Sequence, residues 1–130
     1  MIRLATFLVA FCIATAVRAQ QVPPYSYPQT IGTSSVAILA ANPARKRVIF
    51  HNPNDAAKIA VCPIGPTRVA GGSQALIVAV INGAGCLTLL PYQSQEISGS
   101  TASGPQQWMP TPWVGIASAP GSALTIYEFE

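Results

Sequence analysis

The chain has 130 residues, half of them apolar and only 8% charged, with a formal net charge of +3. That length limits it to a single domain, and so sparse a charge is unlike the usual soluble cytosolic protein. Twelve prolines and ten glycines exclude long helices and suit a chain that turns often.

The first segment, MIRLATFLVAFCIATAVRAQ, sets Arg3 before an apolar stretch from Leu4 to Val17 and ends in Val17-Arg18-Ala19. This is the pattern of a secretory signal peptide, residues 1–19, cleaved after Ala19, with Ala14-Thr15-Ala16 as a second candidate cut. The stretch is shorter than the roughly twenty apolar residues a membrane-crossing helix needs, so no stable span is expected after cleavage. Cleavage removes Arg3 and Arg18. Five Lys/Arg then face four Asp/Glu, and the net charge falls to +1. It also removes Cys12 and leaves Cys62 and Cys86, which an oxidising compartment would join in one disulfide; two separate buried thiols are the alternative.

Residues 20–35, QQVPPYSYPQTIGTSS, read as a proline-rich extended arm, with Tyr25 and Tyr27 as contact residues for a neighbouring subunit. Residues 36–130 then form one β domain. Its runs are VAILA (36–40), RVIFHN (47–52), KIAVCPI (58–64), QALIVAVI (74–81), CLTLLP (86–91), QEISG (95–99), WVGIAS (113–118) and ALTIYEFE (123–130). The separators NPNDA, GPTRVAGG, NGAG, STASGPQ and APG carry turn chemistry. Seven or eight short strands at this spacing predict an all-β fold, a small antiparallel sandwich or jelly-roll-like barrel. RVIFH and ALTIYEFE carry apolar side chains on both faces, so these strands need a second cover, from the arm or from a partner copy.

The stretch NPARKRVIFHNPN, residues 42–54, attracts attention first. Arg45-Lys46-Arg47 is the densest basic run, but only Lys58 and Arg68 follow it in the exported part, and nucleic-acid surfaces spread basic residues over a face with stacking aromatics. Nucleic acid is therefore disfavoured. The triplet reads as a solvated strand start, with Arg47 placed to pair with Glu96, Glu128 or Glu130. His51 is the only histidine and has no recognisable nucleophile motif beside it. Asp55, four residues on, fits an Asx-type turn. One histidine, two paired cysteines and a single aspartate make no zinc set, and the carboxylates Asp55, Glu96, Glu128 and Glu130 form no glycosidase pair without the fold. The glycine clusters AGG and NGAG lack a nucleotide-loop context. No enzyme activity, cofactor or metal is expected. Trp108 and Trp113, with Tyr92, would grip a glycan or a protein if exposed; a core or subunit-contact place is favoured for Trp113.

ILAANPARKRVIFHNPNDAAKIAVCPIG, LLPYQSQEI and the closing WVGIASAPGSALTIYEFE together resemble small β-rich structural proteins of bacteriophages and prophages, over residues 36–130. The resemblance implies a multimeric virion or tail-associated domain without catalytic residues. The signal-like segment and the Cys62/Cys86 pair depart from that pattern. The reading is thus an exported, non-enzymatic structural or interaction module that self-associates, periplasmic or secreted. A virion protein and a carbohydrate- or ligand-binding module are the alternatives.

Overall fold

A computed structural model describes residues 24–64, 78–99 and 110–130. They form eight strands: β1 (Tyr25–Ile31), β2 (Val36–Leu39), β3 (Arg47–His51), β4 (Ile59–Pro63), β5 (Leu87–Leu89), β6 (Ser94–Ser98), β7 (Trp113–Ala117) and β8 (Ser122–Phe129). One sheet has the order β1-β8-β3-β6 and the other β2-β7-β4-β5, with every pairing antiparallel. Strands 1 and 8, 2 and 7, 3 and 6, and 4 and 5 pair as nested arms, and consecutive strands change sheets except β4 and β5, which are neighbours in the second sheet. This is the jelly-roll arrangement, built as an open two-sheet sandwich instead of a closed barrel.

Alternation supplies the core. Val48 and Phe50 of β3 and Leu124 and Ile126 of β8 face Ile59 and Val61 of β4 and Trp113 and Ala117 of β7, all buried. Phe50 and Trp113 meet at a centroid distance of 4.9 Å and a tilt of 50°, a favourable aromatic geometry. Gly115 leaves room for the neighbouring side chains. A Cβ there would lie 3.0 Å from Ile38 Cγ2 and 3.2 Å from Ile31 Cδ1.

The second cover is partly the chain's own. In β4, Ile59, Ala60, Val61 and Cys62 are all buried, so both faces are sealed. The Ala79 N–H donates to Ser35 Oγ (3.0 Å) beside β2, and the Asn82 N–H to Thr88 Oγ1 (2.9 Å) on β5. Those two strands are opposite edges of the second sheet, so residues 79–82 of the β4–β5 connection pass over its outer side. A Cys62–Cys86 disulfide, S–S 2.05 Å, clamps that connection.

Two sequence expectations take a different form here. Residues 25–31 of the expected arm are extended as anticipated, but they form β1, hydrogen-bonded to β8 of the same chain. The run QALIVAVI does not continue as a strand over 78–81. Ile81-Asn82 is a turn closed by Gly83 N–H to Val80 O (2.9 Å), because this segment crosses strands instead of running beside one. Residues 74–77 of that run, the signal segment 1–19 and Trp108 lie outside the described residues.

The nested topology sorts the connections by end. β1–β2, β3–β4, β5–β6 and β7–β8 turn at one end, and β2–β3, β4–β5 and β6–β7 at the other.

Candidate functional site

The stretch 42–54 joins the two ends, and each of its Asn-Pro pairs closes one of them. At the long-loop end, Asn42 makes an Asx turn, its Oδ1 accepting the Ala44 N–H at 3.0 Å. That turn delivers Arg45 inward. Its Nε donates to Glu128 Oε1 (2.7 Å), Nη1 to the Thr111 carbonyl (2.9 Å) and Nη2 to the Ala40 carbonyl (2.6 Å). Asn42 Nδ2 donates to Glu128 Oε1 (2.7 Å) and Glu130 Oε1 (2.9 Å). The Arg45 and Glu128 side chains are 0% and 4% exposed. A buried carboxylate needs such a partner, because either charge alone would stay desolvated.

At the short-loop end, buried Asn52 serves two connections directly, β3–β4 and β5–β6. Its Nδ2 donates to the carbonyls of Ala57 (2.8 Å), Leu89 (3.2 Å) and Leu90 (3.0 Å). Its Oδ1 accepts from Asn54 N (3.1 Å) and Asn54 Nδ2 (2.6 Å). Asn54 then exchanges hydrogen bonds with the backbone of Ala123, N–H to Oδ1 at 3.0 Å and Nδ2 to O at 2.7 Å. The Asx-type turn expected at Asp55 is thus made by Asn52, and Asp55 is exposed.

The basic triplet is divided. Arg45 is buried and Lys46 exposed. Arg47 lies over the Phe129 ring at 3.7 Å from its centroid and pairs with Glu96 at 3.7 Å, one of the three carboxylates expected as partners. His51 Nδ1 is 2.8 Å from Ser94 Oγ, across the β3–β6 register on the outer face of the first sheet. Glu96, on the same face, is already engaged by Arg47. Among the described residues no group of three or more His, Cys, Asp or Glu is placed to hold a metal ion.

Trp113 is completely buried, so it belongs to the core and presents no surface to a glycan or a subunit. Among the described residues its indole N–H finds no hydrogen-bond partner, an uncommon state for a buried donor. Tyr92 is 68% exposed and holds a positive φ of 59°, rare for a bulky side chain. Val78, Val80 and Leu90 are more than half exposed.

Tyr25 and Tyr27 occupy an unusual position. In the β1–β8 register they stand opposite Glu128 and Ile126, on the inward face of the sheet, yet they are 47% and 36% exposed. β2 ends at Leu39 and the chain turns away, so among the described residues no strand end roofs the inward face of this part of β1. Burial, then the negative charge of Glu128, raises the Tyr27 phenol above its ordinary value.

Sequence reading anticipated the charge pairing in this stretch without showing which arginine goes inside. The legible signal was Glu128 itself, in phase with Leu124 and Ile126 on an inward face. A carboxylate in that phase demands a buried cation. Asn52 carried no comparable sign.

The class is therefore a disulfide-clamped jelly-roll sandwich in which the described buried polar groups, the Trp113 indole apart, are taken up by structural contacts. Comparison with protein-family models, curated proteins and solved structures finds no match.

Proposed function

We propose that the chain is an exported, non-enzymatic interaction module that acts through its surface and associates with copies of itself. The observation that carries this is the exposure of Val78, Val80, Leu90 and Tyr92 on a fold whose other large apolar side chains are mostly packed away. Exposed apolar groups of this size fit contact surfaces. The Cys62–Cys86 disulfide supports an oxidising location, periplasmic or secreted, in keeping with the signal-like segment at residues 1–19.

Sedimentation across a concentration series, with crosslinking of native material, tests the association. Concentration-dependent assembly weakened by Tyr92→Ser and Val80→Ser supports it. A strict monomer that captures no second copy overturns it.

The jelly-roll topology favours a second reading, a virion or tail-associated structural protein, since capsid domains use this architecture. Topology alone does not carry function, so location discriminates. Recovery from particles with free thiols and an intact Met1 supports the virion reading. Recovery from periplasm or medium, bridged and starting near Gln20, supports export. The glycan-binding reading loses Trp113 to the core and keeps Tyr92.

A further inference from the structure

We propose that the unroofed end of β1 is a binding site for a small quaternary ammonium solute, formed by Tyr25, Tyr27 and Glu130. Three observations meet there. The rings of Tyr25 and Tyr27 stand two residues apart on one face of the strand, and half or more of each is packed while the remainder is open. Glu128 lies directly across from Tyr25, and Glu130, just past the end of β8, is drawn beside Glu128 by the Asn42 amide they share. Asn42 holds both carboxylates in place through one amide, at 2.7 and 2.9 Å.

The charges do not cancel. Glu128 is matched by Arg45, whose guanidinium is buried and turned to Glu128, Thr111 and Ala40. Among the described residues no cationic side chain pairs with Glu130. The surplus is negative, and the raised phenol of Tyr27, which feels both Glu128 and Glu130, reports the same field. Tyrosine faces attract cations through the ring quadrupole, and a neighbouring carboxylate adds to that attraction.

Hydration selects the kind of cation. The rings stay partly wet, so a primary ammonium would have to surrender strong hydrogen bonds to water for little return. A quaternary ammonium carries its charge on methyl groups that lose little by leaving water and pack well on aromatic faces. The site is independent of the exposed apolar residues proposed for self-association, which lie on the β4–β5 connection and the β5–β6 turn.

The test is an NMR titration of the bridged, purified protein carrying labelled tyrosine, with tetramethylammonium chloride against sodium chloride at equal concentration. The chain has four tyrosines, so Tyr92 and Tyr127 serve as internal controls. The expected result is saturable movement of the Tyr25 and Tyr27 ring signals in the millimolar range with the quaternary salt alone. Tyr27→Leu should weaken binding about fivefold and Glu130→Gln about threefold, in line with exposed cation–π and charge contacts. Glu96→Gln should leave it unchanged. All three side chains are exposed or partly so, and an unchanged amide spectrum elsewhere checks that each variant folds. Non-saturating shifts, equal movement of Tyr92, the same response to sodium chloride, or full binding by Tyr27→Leu would overturn the assignment. Movement only with phosphatidylcholine vesicles would also overturn it, by placing the ligand in a lipid surface.

Discussion

At the short-loop end the connections run four to seven residues, and those between β3 and β4 and between β5 and β6 meet at the neutral amide of Asn52. At the other end, the reach from Ile64 to Cys86 and from Gly99 to Pro112 is far longer, and the closure there is an ion pair, Arg45–Glu128, steadied by Asn42. Both hubs answer one need, which is to satisfy backbone carbonyls and polar side chains that the sandwich buries where its strands stop. They differ in what a failure leaves behind. Without Asn52, uncharged carbonyls remain, and short surface loops can shift to let water reach them. Without Arg45, a carboxylate charge stays inside the fold. The long-loop end should therefore be the more fragile one, and it is also where β1 is left open.

The sharpest way to break this comparison is Arg45→Met. Leaving Glu128 buried and unpaired should cost about 3–5 kcal/mol, read as a lower urea midpoint at unchanged m-value. The double variant Arg45→Met/Glu128→Leu should recover most of that loss, since an apolar pair of similar volume often replaces a buried ion pair at little net cost. If the single and double variants fall equally, the cost belongs to the carbonyls of Thr111 and Ala40 and not to the charge.

Reduction of Cys62–Cys86 comes next. It spans 24 positions, for which loop-closure entropy gives roughly 3 kcal/mol. Coincident denaturation midpoints with and without reductant would remove the clamp from the account. Asn52→Ala should lower stability by about 2 kcal/mol through unsatisfied carbonyls, less than Arg45→Met. A larger loss than Arg45→Met would reverse the ranking of the two ends.

The smallest effect is a pH dependence. The Tyr27 phenol is raised in the folded chain, so its contribution is fully present below the ordinary phenol range near pH 10 and is lost as pH rises through the folded value. Tyr27→Phe should accordingly flatten the alkaline limb of stability above about pH 10 and leave neutral pH nearly unchanged. Identical alkaline limbs would show that Tyr27 does not sense Glu128.

Much of the fold was legible along the chain. Proline, glycine and asparagine marked the turns because they alone meet those backbone angles cheaply, and the apolar runs between them became β2 to β8, apart from QALIVAVI. Its described residues, 78–81, are not a strand because β-branched composition reports a preference for extended chain, while a strand also needs a neighbour running alongside. The Cys62–Cys86 pairing followed from a count of two cysteines. For Arg47 the chain offered three carboxylates, Glu96, Glu128 and Glu130, and only the β3–β6 pairing selected Glu96.

Residues Arg45, Lys46 and Arg47 mark the boundary of that legibility. All three are basic and adjacent, and the chain alone determines that they lead from an Asn-Pro turn into a strand. Only the meeting of β3 with β8 decides that Arg45 enters the interior, because the carboxylate it answers is 83 positions away. The tyrosines show the same division. Alternation puts Tyr25 and Tyr27 on one face of β1, but their exposure depends on where β2, in the opposite sheet, stops. Local chemistry sets which way a side chain points, whereas burial depends on what another part of the chain brings over it.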